Sequence, residues 1–195
     1  MDMRKVVLVA LLSLAVLFLS TIGSNWTGYT VLAQQDITLN HYPYPFIKNN
    51  NYNSLYIILP DQSTLDEQQA ASGLAKSLQS TRSLPPKIVS VSEFKFLPEA
   101  RHNLILLGDA CTNELINELL SPRTCTLNLK EGQGLLKLVN YDRTSTLIVA
   151  GYDTNSMRKA VNVLANYGTF PLKGKQVLVE GALPNIYTYY LTFLN

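Results

Sequence analysis

The stretch from Thr146 to Gly168, TLIVAGYDTNSMRKAVNVLANYG, constrains the fold of this chain more than any other. Leu147 to Ala150 is an apolar run of strand length, stopped by Gly151, a residue that permits a sharp reversal of the backbone. Asp153 or Thr154 then offers a side-chain oxygen to the free N–H groups of a helix start. Met157, Ala160, Val161, Leu164 and Tyr167 recur at the spacing of one helical face, and Gly168 marks a left-handed helix end. This is a strand–turn–helix unit, and its helix needs a sheet on which to bury that face.

The same order recurs earlier. Asn103 to Leu120, NLILLGDACTNELINELL, carries an apolar strand, Gly108, an acidic loop, Thr112-Asn113 and a stripe of Leu115, Ile116, Leu119 and Leu120. Shared turn chemistry explains the likeness better than duplication. Two such units predict alternating strands and helices around a parallel or mostly parallel sheet.

Other segments fit this frame. Leu55 to Leu59 is a strand stopped by Pro60. Thr64 and Glu67 have capping-box spacing and open a helix whose buried stripe is Ala71, Leu74, Ala75 and Leu78. Gly73 inside that helix costs about 1 kcal/mol against Ala, which predicts close packing on a strand there. Lys87 to Val91 is a short strand, and Glu93 to Arg101 an irregular link. Leu135 to Val139 and Thr146 to Ala150 are separated by a short polar connector, which predicts an antiparallel hairpin and hence a mixed sheet. Gln176 to Glu180 is a last strand, and the aromatic tail Ile186 to Leu194 is either a further strand or a contact surface. The expected class is α/β: one domain over 54–195, a mixed, mostly parallel sheet with Rossmann-like layering, and about three helices.

The chain has 195 residues, 47% hydrophobic and 15% charged, enough for one domain with a real core. Arg4 and Lys5 precede an uncharged apolar run from Val6 to Ile22, the layout of a secretory signal over residues 1–33 with cleavage between Ala33 and Gln34. The run is long for a signal, so the other reading is an N-terminal membrane anchor formed by residues 5–23. Either way the domain is exported, to the cell surface or beyond. The segment 34–53, rich in Asn, Tyr and Pro, is expected as a linker lying over the surface, extended around Pro43 and Pro45. Its aromatic residues are expected to pack on the domain; the other reading has exposed Tyr42, Tyr44 or Tyr52 stack on sugars. The formal charge of +2 falls to +1 without residues 1–33, and no basic stripe exists, which argues against nucleic acid as a partner.

Cys111 and Cys125 are the only cysteines. In an oxidising compartment two cysteines so close in sequence are expected to form a disulfide, whereas no C-x-x-C redox pair is present. His41 and His102 lack metal-ligand neighbours at i+3 or i+4, and no Walker loop, H-E-x-x-H or G-x-S-x-G is found. Gly132 and Gly134 do not follow a strand and open a helix, so they are no dinucleotide fingerprint. No catalytic residue, cofactor or metal is expected. Asp109 and Asp153 fall just beyond strand ends, where open α/β sheets place ligands. As a facing pair they would suit glycoside hydrolysis; the simpler expectation is that both cap turns and helix starts. The loops bearing Asp109, Asn113, Asp153 and Asn155 are those expected to face a ligand, if there is one. Asn25-Trp26-Thr27 is an N-glycosylation pattern that matters only if the N-terminus is retained.

From Asn103 onward, the chain resembles the module of archaeal S-layer proteins. The matching residues are Gly108, Cys111, Asn113, Cys125, Gly132, Gly134, Ala150, Gly151, Tyr152, Ala160, Leu164, Ala165 and Tyr167, in that order, with the helix at 70–78 fitting the first helix of such modules. The resemblance covers roughly residues 54 to 180. It implies a cell-surface structural module without catalysis or a prosthetic group, whose partners are other envelope or S-layer chains or copies of itself. LPDQSTLDEQQAASGLAKSL is also similar to small α/β accessory domains preceding glycoside hydrolase barrels, which implies a carbohydrate-associated module with a glycan as partner.

Overall fold

The apolar runs read from the sequence become neighbours in one sheet. The structure, a computed structural model, describes residues 37–47, 55–79, 85–97, 102–141, 144–181 and 190–194. The signal or anchor region with Ala33 and Gln34, the glycosylation pattern and Tyr52 lie outside the described residues. Seven strands are present among those described: β1 (Leu55–Leu59), β2 (Lys87–Ser90), β3 (Asn103–Leu107), β4 (Gly134–Tyr141), β5 (Thr144–Gly151), β6 (Gln176–Glu180) and β7 (Tyr190–Leu194). Their order across the sheet is β2-β1-β3-β5-β4-β6-β7. β1 pairs in parallel with β2 and β3, and β3 with β5. β4 lies antiparallel between β5 and β6, and β7 is antiparallel to β6. The mixed sheet and the β4–β5 hairpin are therefore as the sequence predicts.

Four α-helices cover the sheet among the described residues: α1 (Leu65–Leu78), α2 (Val91–Lys95), α3 (Glu114–Leu120) and α4 (Thr154–Ala165). α1 and α4 pack on one face with Leu55, Ile57, Leu59, Ile105, Leu107, Leu147 and Val149. α2 and α3 cover the other face, over Tyr56, Ile58, Leu106 and Ile148. β1 is buried along its whole length because both faces are covered, which explains a continuous apolar run where a one-sided strand such as β6 alternates. Each fully buried Leu or Ile of these clusters contributes about 1.5–3 kcal/mol by its removal from water.

The crossovers have a consequence for handedness. β1–α1–β2 and β5–α4–β6 use helices on the same face but move in opposite directions across the sheet. They therefore have opposite hands, and at least one departs from the right-handed rule for parallel connections.

The capping residues behave as chemistry dictates. Thr64 and Glu67 form a reciprocal capping box, with Glu67 accepting from the Thr64 N–H at 2.7 Å. Ala71, Leu74, Ala75 and Leu78 are buried as the spacing requires. A second capping box, Ser90 with Glu93, makes α2 a helix where an irregular link was expected from Glu93, and it ends β2 at Ser90 instead of Val91.

Three expectations fail for local reasons. α4 stops at Ala165, and its cap is Asn166, whose amide donates to the Asn162 carbonyl at 2.8 Å; Gly168 does not adopt a positive φ. Gly73 is exposed, and a Cβ there would have nothing within 4 Å, so it packs on no strand. Gly73→Ala is expected to raise stability by about 0.5–1 kcal/mol, read as a shift of the urea midpoint at unchanged slope. The segment expected as a surface linker belongs, over residues 37–47, to the domain. Leu39, Tyr42 and Phe46 are buried in the core, and the unit to which they belong starts at Ile37. A 3-10 turn (Leu39–His41) and two cis bonds, Tyr42–Pro43 and Tyr44–Pro45, fold this stretch back instead of extending it. Asn103 ties it to the sheet, donating to the Pro45 carbonyl at 2.8 Å and accepting from the Ser145 N–H at 3.2 Å.

Candidate functional site

Open α/β sheets offer ligands a crevice at the carboxyl ends of adjacent strands whose following helices lie on opposite faces. Here β3, which leads to α3, meets that condition both with β1, which leads to α1, and with β5, which leads to α4. The rim they form is built from Pro60-Asp61, the loop Gly108 to Asn113, and, beyond β5, Gly151 to Asp153.

The crevice between β1 and β3 is filled from within. Asn113 is fully buried, and its amide donates to the Leu107 carbonyl at 2.9 Å and to the Ile58 carbonyl at 3.4 Å. Its side-chain oxygen accepts from the Ile116 N–H at 3.4 Å, so the same residue caps α3. One side chain thus satisfies a carbonyl near the end of β1, the last carbonyl of β3 and a free N–H of the helix start. Pro60 closes the gap further: a Cβ on Gly108 would come within 2.9 Å of its ring, and Gly108 itself has a φ of +117°. Asn113 therefore faces the core and not a ligand.

The rim carboxylates are engaged by their own loops. Asp109 accepts from the N–H groups of Cys111 at 2.7 Å and Thr112 at 2.9 Å. Asp153 accepts from the N–H and the hydroxyl of Ser156, both at 2.7 Å. The Ser156 hydroxyl first, and its N–H second, hold the Asp153 carboxyl below the usual carboxylate range. Asn155 is exposed in the first turn of α4, next to Asp153. Asp61, which the sequence did not single out, accepts from the N–H of Ser92 at 2.9 Å and from its hydroxyl. These bonds likewise hold its carboxyl low. Each of the three carboxylates accepts these bonds through one oxygen, Oδ1, in the arrangement of turn and helix capping.

The disulfide is formed between Cys111 and Cys125, with Cα atoms 5.0 Å apart. It ties the rim loop to the turn after α3, and the Ala110 N–H donates to the Cys125 carbonyl at 3.2 Å beside it. A closed loop of this length stabilises by about 3 kcal/mol in the chain-entropy model.

Gly134 and Gly151 face each other in register across β4 and β5. A Cβ on Gly134 would lie 2.5 Å from the Ser156 carbonyl oxygen, and one on Gly151 would lie 2.6 Å from the Asp153 carbonyl oxygen and collide with the Met157 nitrogen. The pair leaves the hollow into which the first turn of α4 sinks. For Gly151 the cause is close approach, since its φ is not positive.

The histidines stand apart. His41 is exposed, and His102 lies beside the aromatic rings of Tyr56 and Phe94, centroids 4.7 and 6.2 Å away. Its Nδ1 is buried without a hydrogen-bond partner. Burial, and then the charge of Lys87, lower its pKa. The unfolded chain therefore takes up a proton near pH 6.5 that the folded chain resists. This contribution is fully present above that pH and is lost as the pH falls through the depressed folded value. Urea unfolding at pH 7.5 and 5.5 is expected to show a lower midpoint at pH 5.5, and His102→Phe to flatten the difference.

Among the described residues no group of acidic, His and Cys side chains is arranged to hold a metal ion, and no helix is long and apolar enough to cross a membrane. Of the aromatic residues proposed for sugar stacking, Tyr44 is 46% exposed whereas Tyr42 is buried. Compared with known protein families and with curated proteins, the chain matches none.

Proposed function

We propose that this chain is an exported module of the cell envelope that works by association with other protein chains, in the manner of an S-layer domain. The observation that carries the reading is the filled crevice between β1 and β3; the cavity of about 330 Å³ beside it, at the ends of β1 and β2, is lined by Leu59, Pro60, Asp61 and Ser90 among others. Between β1 and β3, where the sheet would offer a ligand crevice, the Asn113 amide and Pro60 fill it; Asp109 and Asp153 cap their own loops, and Asp61 bonds Ser92 of α2. The surface then serves for contact, not chemistry. The disulfide supports an oxidising compartment, and the order of Gly108, Cys111, Asn113, Cys125, Gly134 and Gly151 supports the S-layer resemblance.

Expression of the full chain in a secreting host, followed by fractionation and intact-mass measurement, tests the reading. The expected product is oxidised at Cys111–Cys125 and located outside the cytoplasm, either with a mass starting near Gln34 or at full length with the membranes. A reduced, full-length product in the cytoplasm would overturn it.

A further inference from the structure

A second feature lies away from the carboxyl edge, on the face covered by α4. Leu39, Asn40, Tyr42, Tyr167, Phe170, Pro171, Leu172 and Lys173 line a pocket of about 250 Å³. That is below the ~300–1,000 Å³ of pockets for drug-sized ligands, and it leaves room for one ring.

Three properties limit what such a ring is. The walls are largely apolar and aromatic: Leu39, Phe170 and Leu172 are buried, and Tyr167 is 37% exposed. Tyr42, only 7% exposed, has a hydroxyl that is buried without a hydrogen-bond partner. Its ring meets that of Tyr167 edge-on, with centroids 5.1 Å apart. Burial raises the Tyr42 pKa well above the usual phenol range, so the hydroxyl keeps its proton and remains a donor. A buried hydroxyl left unpaired is costly, and such groups are normally satisfied. At the rim, Lys173 is exposed with its ammonium 5.9 Å from the Phe193 ring centroid, and no aspartate or glutamate among the described residues lines the pocket. The Asn40 side-chain oxygen is already used, accepting from the Gly174 N–H at 3.0 Å.

From these observations we infer that the pocket is a binding site for a single acidic sugar unit, a pyranose ring bearing a carboxylate. Its C–H face lies against the aromatic wall, one of its oxygens accepts from the Tyr42 hydroxyl, and its carboxylate meets the Lys173 ammonium. Because that hydroxyl is buried, the Tyr167 ring, edge-on to Tyr42, shifts to admit the sugar. An amphipathic ring matches a wall that is apolar with one buried donor, and the charge matches a rim where, among the described residues, the one ionised lining residue is a lysine. The site does not depend on the association proposed above, because it uses none of the carboxyl-edge residues and stands or falls by its own titration.

NMR titration of the isotopically labelled, oxidised full chain with glucuronate, and separately with glucose, provides the test. Glucuronate is expected to shift amides of residues 39–42 and 167–173, with glucose weaker. Tyr42→Phe keeps the ring and is expected to fold with equal or higher thermal stability, because it removes an unpaired buried hydroxyl, while weakening glucuronate about tenfold, the scale of one such hydrogen bond. Lys173→Gln is expected to abolish the preference for glucuronate over glucose. Shifts elsewhere or none at all, or a Tyr42→Phe variant that binds as the parent does, would overturn the site. An unchanged preference in Lys173→Gln would overturn its acidic-sugar assignment.

Discussion

Gly151→Ala is expected to lower the midpoint of thermal unfolding by about 10 °C or more, or to leave no folded protein. The added Cβ would collide with the Met157 backbone nitrogen and come within 2.6 and 2.7 Å of the Asp153 carbonyl oxygen and the Ser156 carbonyl carbon. These are backbone atoms of the α4 start, with no flexible side chain able to give way. Overpacking a core costs about 1–3 kcal/mol when side chains can shift, and more where backbone must move. Relief requires α4 to lift, which strains the bonds from Ser156 to Asp153 and loosens the burial of Met157, Ala160 and Leu164. At about 2–4 °C per kcal/mol for a domain of this size, a loss of about 3–5 kcal/mol gives the stated shift. Gly73→Ala, a change of the same type where no atom is near, is the matched control. A Gly151→Ala protein as stable as the parent would show that α4 does not sink between β4 and β5 as described.

Asn113→Ala is expected to cost about 3 kcal/mol. It leaves the Leu107 and Ile58 carbonyls without their shared donor and removes the α3 cap, at about 1–3 kcal/mol for unsatisfied buried groups and about 1 for the cap. Asn113→Asp separates the donor role from shape. An ionised carboxylate would point oxygen at two carbonyls, so the variant is expected to be at least as unstable as Asn113→Ala at pH 7. Its folded-state pKa would be raised, so its deficit shrinks as the pH is lowered and protonation restores one donor. Urea midpoints at pH 7 and pH 5 measure this. An Asn113→Asp deficit that does not shrink at pH 5 would mean that the amide's donors are not what the site requires.

These two positions also show which parts of the molecule the sequence reveals. The strand–turn–helix unit is legible because its signals are local: an apolar run, an acid at the helix start, and a 3.6-residue period that all fall in consecutive residues. Asp153 as a cap follows from the same local chemistry. The role of Gly151 does not, because a glycine at a turn reads as freedom of φ, whereas here it is the near approach of residues 153–157 that excludes a Cβ. Asn113 was placed on a ligand-facing loop because spacing puts it beyond a strand end; that its side chain turns inward to carbonyls of two strands depends on Ile58, 55 residues away. α2 has five residues, too few for a periodic stripe, and only the Ser90–Glu93 box signals it. That the aromatic residues of 34–53 pack on the domain is legible, but that Tyr42 enters the core is not, because its packing partners, Phe46 and Tyr167, include one 125 positions distant. The opposite hands of the two crossovers have no local signature at all, since they follow from strand order.

The functional reading rests on the filled crevice between β1 and β3, whose Asn113 serves the fold. Cross-linking mass spectrometry on intact envelopes from the source cells tests it most directly. Association predicts cross-links from exposed lysines such as Lys76, Lys87 and Lys173 to other envelope chains or to a second copy of this chain. Recovery of the chain free of intermolecular cross-links, under conditions that capture its neighbours, would contradict it.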